Sequence, residues 1–194
     1  IKFLCRQEPA FARAAARINA PVRLRRRAGG FDALLKAIVA QQLSVVSAAA
    51  IWARVEAAGL TQEKRILSTT DAALREVGLS RQKIKYVRAL ALADLDFNAL
   101  AAASTREVVE VLTQISGIGV WTAEIYAMFS LGHQDVFPSG DLALQEAAKD
   151  LFGINKRLSA NALKTMAVDW SPWRAVAAHV LWAYYSAIKK REGI

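Results

Sequence analysis

Two short stretches hold the residues whose types and spacing could do chemistry. In the first, Leu112-Thr113-Gln114-Ile115-Ser116-Gly117-Ile118-Gly119-Val120-Trp121-Thr122-Ala123, two helical patterns meet at a glycine-rich turn. Glycine accepts positive φ and, lacking a side chain, lets another backbone come close. The amides of such a turn, and of the helix that starts after it, point outward unpaired and suit an anion such as a phosphate. Gly-Ile-Gly by itself is equally an ordinary helix C-cap. The second stretch, Asp135-Val136-Phe137-Pro138-Ser139-Gly140-Asp141, is a loop that leads into a helix opening near Asp141. An acid there compensates the helix dipole. A fixed carboxylate can also stabilise a developing cation, or orient and deprotonate water.

Further candidates surround these two. The tandem Gln41-Gln42 interrupts an otherwise apolar helix after Ile38-Val39-Ala40, either capping a helix break or marking a functional tip. Trp52, Trp121, Trp170, Trp173 and Trp182 offer faces on which an electron-poor or cationic ring could stack. A tryptophan in a helical protein is more often core, and Trp52 and Trp173 are expected there. The single Cys5 excludes an internal disulfide framework and a four-thiolate cluster, and His133 and His179 are too few and too isolated for a zinc site. Lys and Arg number 26 against 17 Asp and Glu, a net charge of +9. That balance favours a polyanionic partner, although a basic surface also merely aids solubility.

The elements that must position these residues are helices. Apolar residues recur at helical spacing through most of the chain and β-branched alternation is scarce, so the fold class is all-α. A basic opening stretch (Arg23-Leu24-Arg25-Arg26-Arg27) ends at Gly29-Gly30. A long helix is predicted from about Phe31 to Leu43, continuing after a break at Ser44 to Ala58, with Gly59 as its stop. Asp71 and Ser80 stand as N-caps of two short helices, the second carrying Arg81, Lys83, Lys85 and Arg88. Helices are predicted from Ser104 to Gln114, Val120 to Ser130, Lys156 to Val168 and Pro172 to Lys190, the last with Ser171 as N-cap and Pro172 in its first turn. No stretch has the length of a membrane span, and no secretory signal is visible, which makes an intracellular compartment the expectation.

Three separated motifs resemble a known family. Ile115 to Ala123 resembles the hairpin of the helix-hairpin-helix DNA glycosylase superfamily, Leu-Pro-Gly-Ile-Gly followed by Lys or Trp, Thr and Ala, with Ser116 in place of the common proline. Val136 to Asp141 resembles the superfamily's Val-Phe-x-Pro-x-Asp segment. Trp170-Ser171-Pro172-Trp173-Arg174 through Trp182 resembles the Trp-x-Pro-Trp-Arg segment of the bacterial DNA-3-methyladenine glycosylase II family. The likeness extends from about Phe31 to Trp182.

The resemblance implies two helical subdomains flanking a cleft, one of about 31–110 and one of about 111–194 together with the N-terminal segment. It implies Asp141 as the catalytic carboxylate, and a backbone grip at Gly117, Gly119, Thr122 and Ala123. The base pocket would comprise Trp121 and Trp182, with Phe137 and Tyr126 as weaker candidates. Gln42, or alternatively Leu43, would be the wedge that fills the hole left by an extruded nucleotide. Bifunctional members carry a lysine nucleophile at position 121; Trp121 implies a monofunctional enzyme that uses water. The carbonyls of Thr113, Ile115 and Ile118 would hold Na+ or K+ in the presence of DNA. No other cofactor is implied, and the superfamily's iron–sulfur loop and N-terminal β-domain are not expected. The implied partner is double-stranded DNA carrying a damaged base, bound by a monomer in a bacterial nucleoid or a nucleus. A glycosylase for an oxidised, deaminated or mispaired base, and a DNA-binding module without catalysis, are the alternatives.

Overall fold

A computed structural model describes residues 1–18, 21, 22 and 24–189; Arg23 of the basic run and Lys190 lie outside the described residues. The chain divides into two compact units, Ile1–Arg26 with Gly132–Ile194, and Arg27–Leu131. Every regular element among the described residues is helical.

Two helices, α1 (Lys2–Gln7) and α2 (Ala10–Arg17), occupy the opening stretch. Its basic composition conceals them, yet α2 buries Ala10, Phe11 and Ala14 on one face. The second unit follows with α3 (Phe31–Ala40), α4 (Val45–Ala57), α5 (Glu63–Ser68), α6 (Asp71–Glu76), α7 (Arg81–Leu92), α8 (Phe97–Ala102), α9 (Thr105–Thr113) and α10 (Val120–Tyr126). A π-helical turn, Ala127–Leu131, extends α10. The first unit then resumes with α11 (Leu142–Leu151), α12 (Ala160–Met166), a 3-10 turn (Ala167–Trp170) and α13 (Arg174–Lys189).

Side-chain caps set most of the helix starts. Ser44, Ser80, Ser104 and Ser159 each accept an amide three residues on, and Ser104 with Glu107 completes a reciprocal capping box. Several boundaries differ from expectation. The break after α3 falls at residues 41–43, leaving Ser44 as the N-cap of α4. Thr70, not Asp71, caps α6, its hydroxyl accepting from the Ala73 amide while Asp71 is the first helical residue. The helix expected from Lys156 starts only at Ala160. The last helix starts at Arg174 rather than Pro172, because the Ser171 hydroxyl donates to Asp135 Oδ2 at 2.8 Å instead of capping.

In the second unit α3 is central, packed on α4, α7 and α10, while α5 and α6 lie on α7. Leu34, Leu35, Ile38 and Val39 of α3 are buried there with Val87 and Leu90 of α7. In the first unit α13 packs on α2, α11 and the 3-10 turn, and its Ala177 and Ala178 allow close approach. Trp170 fills that core, 5.1 Å from the ring of Phe11 and 5.3 Å from that of Phe137. The division also corrects the expected boundary near residue 110. Because α10 packs on both α9 and α3, the hairpin belongs to the unit of the Gln41-Gln42 turn and not to that of Asp141.

Candidate active site

The hairpin between α9 and α10 is pinned from beneath by buried Ile115 and Ile118, the Ile118 amide donating to the Ile115 carbonyl at 3.0 Å. Gly117 sits at φ +97°, and a Cβ there would lie 2.3 Å from the Tyr86 ring. Only glycine fits on both counts. Gly119 differs: it is the N-cap residue of α10 at φ −90°, and a Cβ would meet nothing within 4 Å. The space above it is open. The Ala123 amide donates to the Gly119 carbonyl at 3.0 Å, and Thr122 and Ala123 are both buried. The outward surface is therefore Ser116, Gly119, Val120 and Trp121, with Trp121 38% exposed.

In the same unit the 41–44 turn approaches the hairpin. The Gln41 carboxamide donates to the Gly117 carbonyl at 2.9 Å. Gln42, at φ +57°, and Leu43 are exposed. Tyr126 is buried, and its hydroxyl accepts from the Gly30 amide at 2.9 Å.

Asp141 lies in the other unit as the N-cap of α11 and is 6% exposed. Its Oδ1 accepts from the Leu144 amide at 3.0 Å and from the indole Nε1 of Trp182 at 3.1 Å. One carboxylate oxygen thus takes a backbone donor from its own helix and a side-chain donor from α13. His179, one turn before Trp182 on α13, meets that indole edge to face with centroids 5.7 Å apart. Burial, and then the charge of Arg25, pushes the His179 pKa down to about 4, so the imidazole is neutral at physiological pH.

The loop that presents Asp141 is tied at both ends. At its start Arg174 grips Asp135 with a fork, Nε to Oδ1 at 2.7 Å and Nη2 to Oδ2 at 2.8 Å. The Arg174 fork, reinforced by Ser171 against an opposing effect of burial, holds the Asp135 pKa below its usual value. At its end the buried Gln145 carboxamide donates to the Ser139 carbonyl at 2.9 Å.

The aromatic candidates separate by unit: Trp182 and Phe137 accompany Asp141, while Trp121 and Tyr126 belong with the hairpin. Phe137 is packed on Trp170. Trp52 is buried as expected, whereas Trp173 is 38% exposed and Trp170 is the core residue of that segment. The bonds of Gln41, Asp135 and Gln145 escape a sequence reading, because nothing in a glutamine or aspartate announces a partner far along the chain. Arg174 alone was signalled, by the Trp-x-Pro-Trp-Arg pattern.

Residues 35–174 match the profile of the HhH-GPD superfamily base excision DNA repair protein family. The alkylbase DNA glycosidase-like protein mag2 of Schizosaccharomyces pombe is 27% identical over 162 residues, covering 78% of this chain and 76% of that protein. The crystal structure of a DNA-3-methyladenine glycosidase from Bacillus halodurans superposes with a TM-score of 0.86 at 35% identity, covering 97% of this chain and 90% of that one. The 3-methyladenine DNA glycosylase Mag1 of Schizosaccharomyces pombe, solved in complex with abasic DNA, gives a TM-score of 0.76 at 26% identity, with 93% of this chain and 91% of that chain covered. The matched span runs from α3 through the hairpin and Asp141 to Arg174, and by it the chain belongs to the HhH-GPD superfamily of base excision DNA repair proteins.

Proposed function

We propose that this protein is a monofunctional DNA glycosylase that extrudes and hydrolytically excises alkylated bases, 3-methyladenine and related N-alkylpurines, leaving an abasic site. The observation that carries the reading is the buried Asp141 carboxylate, oriented on one oxygen by the Leu144 amide and the Trp182 indole. A module that only bound DNA would gain nothing from a carboxylate near phosphates. The alkylated-base class draws support from the names of the B. halodurans and S. pombe relatives.

Hydrolysis breaks the bond between C1′ and the base nitrogen, and the electron pair leaves with the base. Water oxygen bonds to C1′, its proton passing to the Asp141 carboxylate and on to solvent. An N-alkylpurine that already carries positive charge departs as a neutral base, so no acid is required to protonate it. The neutral His179 beside Trp182 fits that chemistry, since it has no proton to give at neutral pH. Until water adds, Asp141 faces an oxocarbenium-like sugar and stabilises its charge. The Trp182 donor fixes where that negative charge sits.

The partner is double-stranded DNA with a damaged base, held through its backbone by the Gly117–Gly119 hairpin and entered by Gln42 or Leu43. The protein acts as a monomer in the compartment that holds DNA. Among the described residues no helix is long and apolar enough to cross a membrane. The carbonyls of Thr113, Ile115 and Ile118 would hold a monovalent cation, the Ile115 carbonyl also accepting from the Ile118 amide. Such an ion would lend positive charge to phosphate binding at the hairpin. The test is incubation with duplexes that each carry one defined lesion, followed by chromatography of released bases. Release from N-alkylpurine duplexes is expected; release confined to oxidised, deaminated or mispaired bases would move the protein to another lesion class.

A further inference from the structure

We propose that Gln41 and Lys83 are positioning residues that lock the 41–44 turn to the hairpin, so that gripping the strand and entering the duplex occur at one fixed spacing. The proposal rests on the reading that the hairpin binds backbone and that the turn enters DNA. All of its parts lie in the second unit.

The lock has three contacts. Gln41 Nε2 donates to the Gly117 carbonyl at 2.9 Å, across 76 residues of sequence. Lys83 Nζ donates to the Val39 carbonyl at 2.6 Å, across 44 residues, and so satisfies one of the carbonyls that the last turn of α3 leaves without a helical partner. Tyr86 lies one turn beyond Lys83 on α7, on the same helix face, and its ring sits where a Cβ of Gly117 would be. Through Lys83 and Tyr86, α7 therefore holds both the end of α3 and the hairpin. Lys83, Tyr86, Gln41, Gln42 and the hairpin glycines border one recess of about 430 Å³.

What the lock holds is costly to hold. Gln42 adopts φ +57°, a left-handed conformation that a side chain other than glycine rarely takes. Such a conformation persists where its surroundings over-determine it. Here two anchored groups stand immediately before it in the chain, Val39 held through its carbonyl and Gln41 through its carboxamide. Beyond it Leu43, Val45 and Val46 are exposed, the last two at 87% and 79%, which makes the turn an apolar tip offered outward. Partial burial lowers the Lys83 pKa.

The test needs no catalysis. A duplex with a tetrahydrofuran abasic analogue and 2-aminopurine opposite it reports affinity by anisotropy and duplex invasion by fluorescence at saturating protein. Gln41→Ala and Lys83→Met should keep the dissociation constant within about threefold of wild type while losing about half or more of the fluorescence rise. Lys83→Arg, which still donates to a carbonyl, should recover most of it. A merely structural role would weaken affinity and fluorescence together and spare neither. Should Gln41→Ala fail to fold, Lys83→Met gives the same reading from the other anchor. A full fluorescence rise in both variants overturns the proposal, as does a wild-type protein that binds this duplex with no rise. Failure of wild type to release any alkylated base, with the variant pattern intact, would overturn the functional reading alone.

Discussion

The indole N–H of Trp182 donates to Asp141 Oδ1 at 3.1 Å, joining the middle of α13 to the N-cap of α11. Trp182→Phe keeps an aromatic face against His179 but removes that donor. A hydrogen bond to a charged group contributes about 1.5–3 kcal/mol, so kcat for base release should fall about 10- to 100-fold. Binding to abasic DNA should change far less, and single-turnover kinetics beside a binding titration separates the two.

Asp141 caps α11 as well as holding the proposed catalytic role. Asparagine caps as well as aspartate, and its Oδ1 can still accept from Leu144 and Trp182. Asp141→Asn should therefore hold unfolding free energy within about 0.5 kcal/mol while excision drops by about 10²–10³-fold or more. Asp141→Ala loses the cap and the carboxylate that accepts from the Trp182 indole, a cost of about 1–3 kcal/mol. Urea unfolding of the two variants distinguishes the structural duty from the chemical one.

Gly117 and Gly119 should behave differently despite their shared motif. Gly117→Ala sets a side chain at φ +97° and drives it into the Tyr86 ring, for a loss of about 1–3 kcal/mol. Gly119→Ala meets no protein atom within 4 Å and an ordinary φ, so the fold should keep its stability. If that open space receives the DNA backbone, Gly119→Ala should still weaken abasic-duplex binding by about tenfold. Undiminished binding by a folded Gly119→Ala protein would place the backbone elsewhere.

Stability should depend on pH through His179. Its native pKa of about 4 lies below the ordinary value of 6.5, so the unfolded chain takes up a proton in that window and the native protein does not. The contribution is fully present above pH 6.5 and is lost as pH falls toward 4, with a slope of up to about 1.4 kcal/mol per pH unit. His133, lowered by burial and then by Arg26, acts in the same direction. Asp135 is distinct: its lowered pKa makes its contribution disappear only as pH falls below the usual carboxylate range. His179→Asn should flatten the profile between pH 6.5 and 4.5 in urea titrations; an unchanged slope would contradict the assignment.

How much of this was legible in the sequence follows the range of each interaction. Ser44, Ser80 and Ser104 act on amides three residues away, so their capping role shows in the local pattern. Thr70 and Asp71 are adjacent and both able to cap; the backbone conformation that chooses Thr70 is not written in either residue type. Ser171 was diverted by Asp135, a partner 36 residues away. Trp173 was expected in the core but is exposed, lying just before α13 begins at Arg174, and Trp170 is the buried residue of that segment. Hairpin and carboxylate were recognisable as motifs, yet their assignment to different units depends on α10 packing against α3, a tertiary fact.

The most direct measurement uses a duplex containing a single N-alkylated purine and follows both base release and strand integrity. Wild type should liberate the alkylated base and leave a strand that breaks only after alkali, with no borohydride-trapped protein–DNA adduct, while Asp141→Asn liberates none yet binds abasic duplex. Equal release by Asp141→Asn, strand breaks without alkali, or no release by wild type from any alkylated duplex would contradict the account.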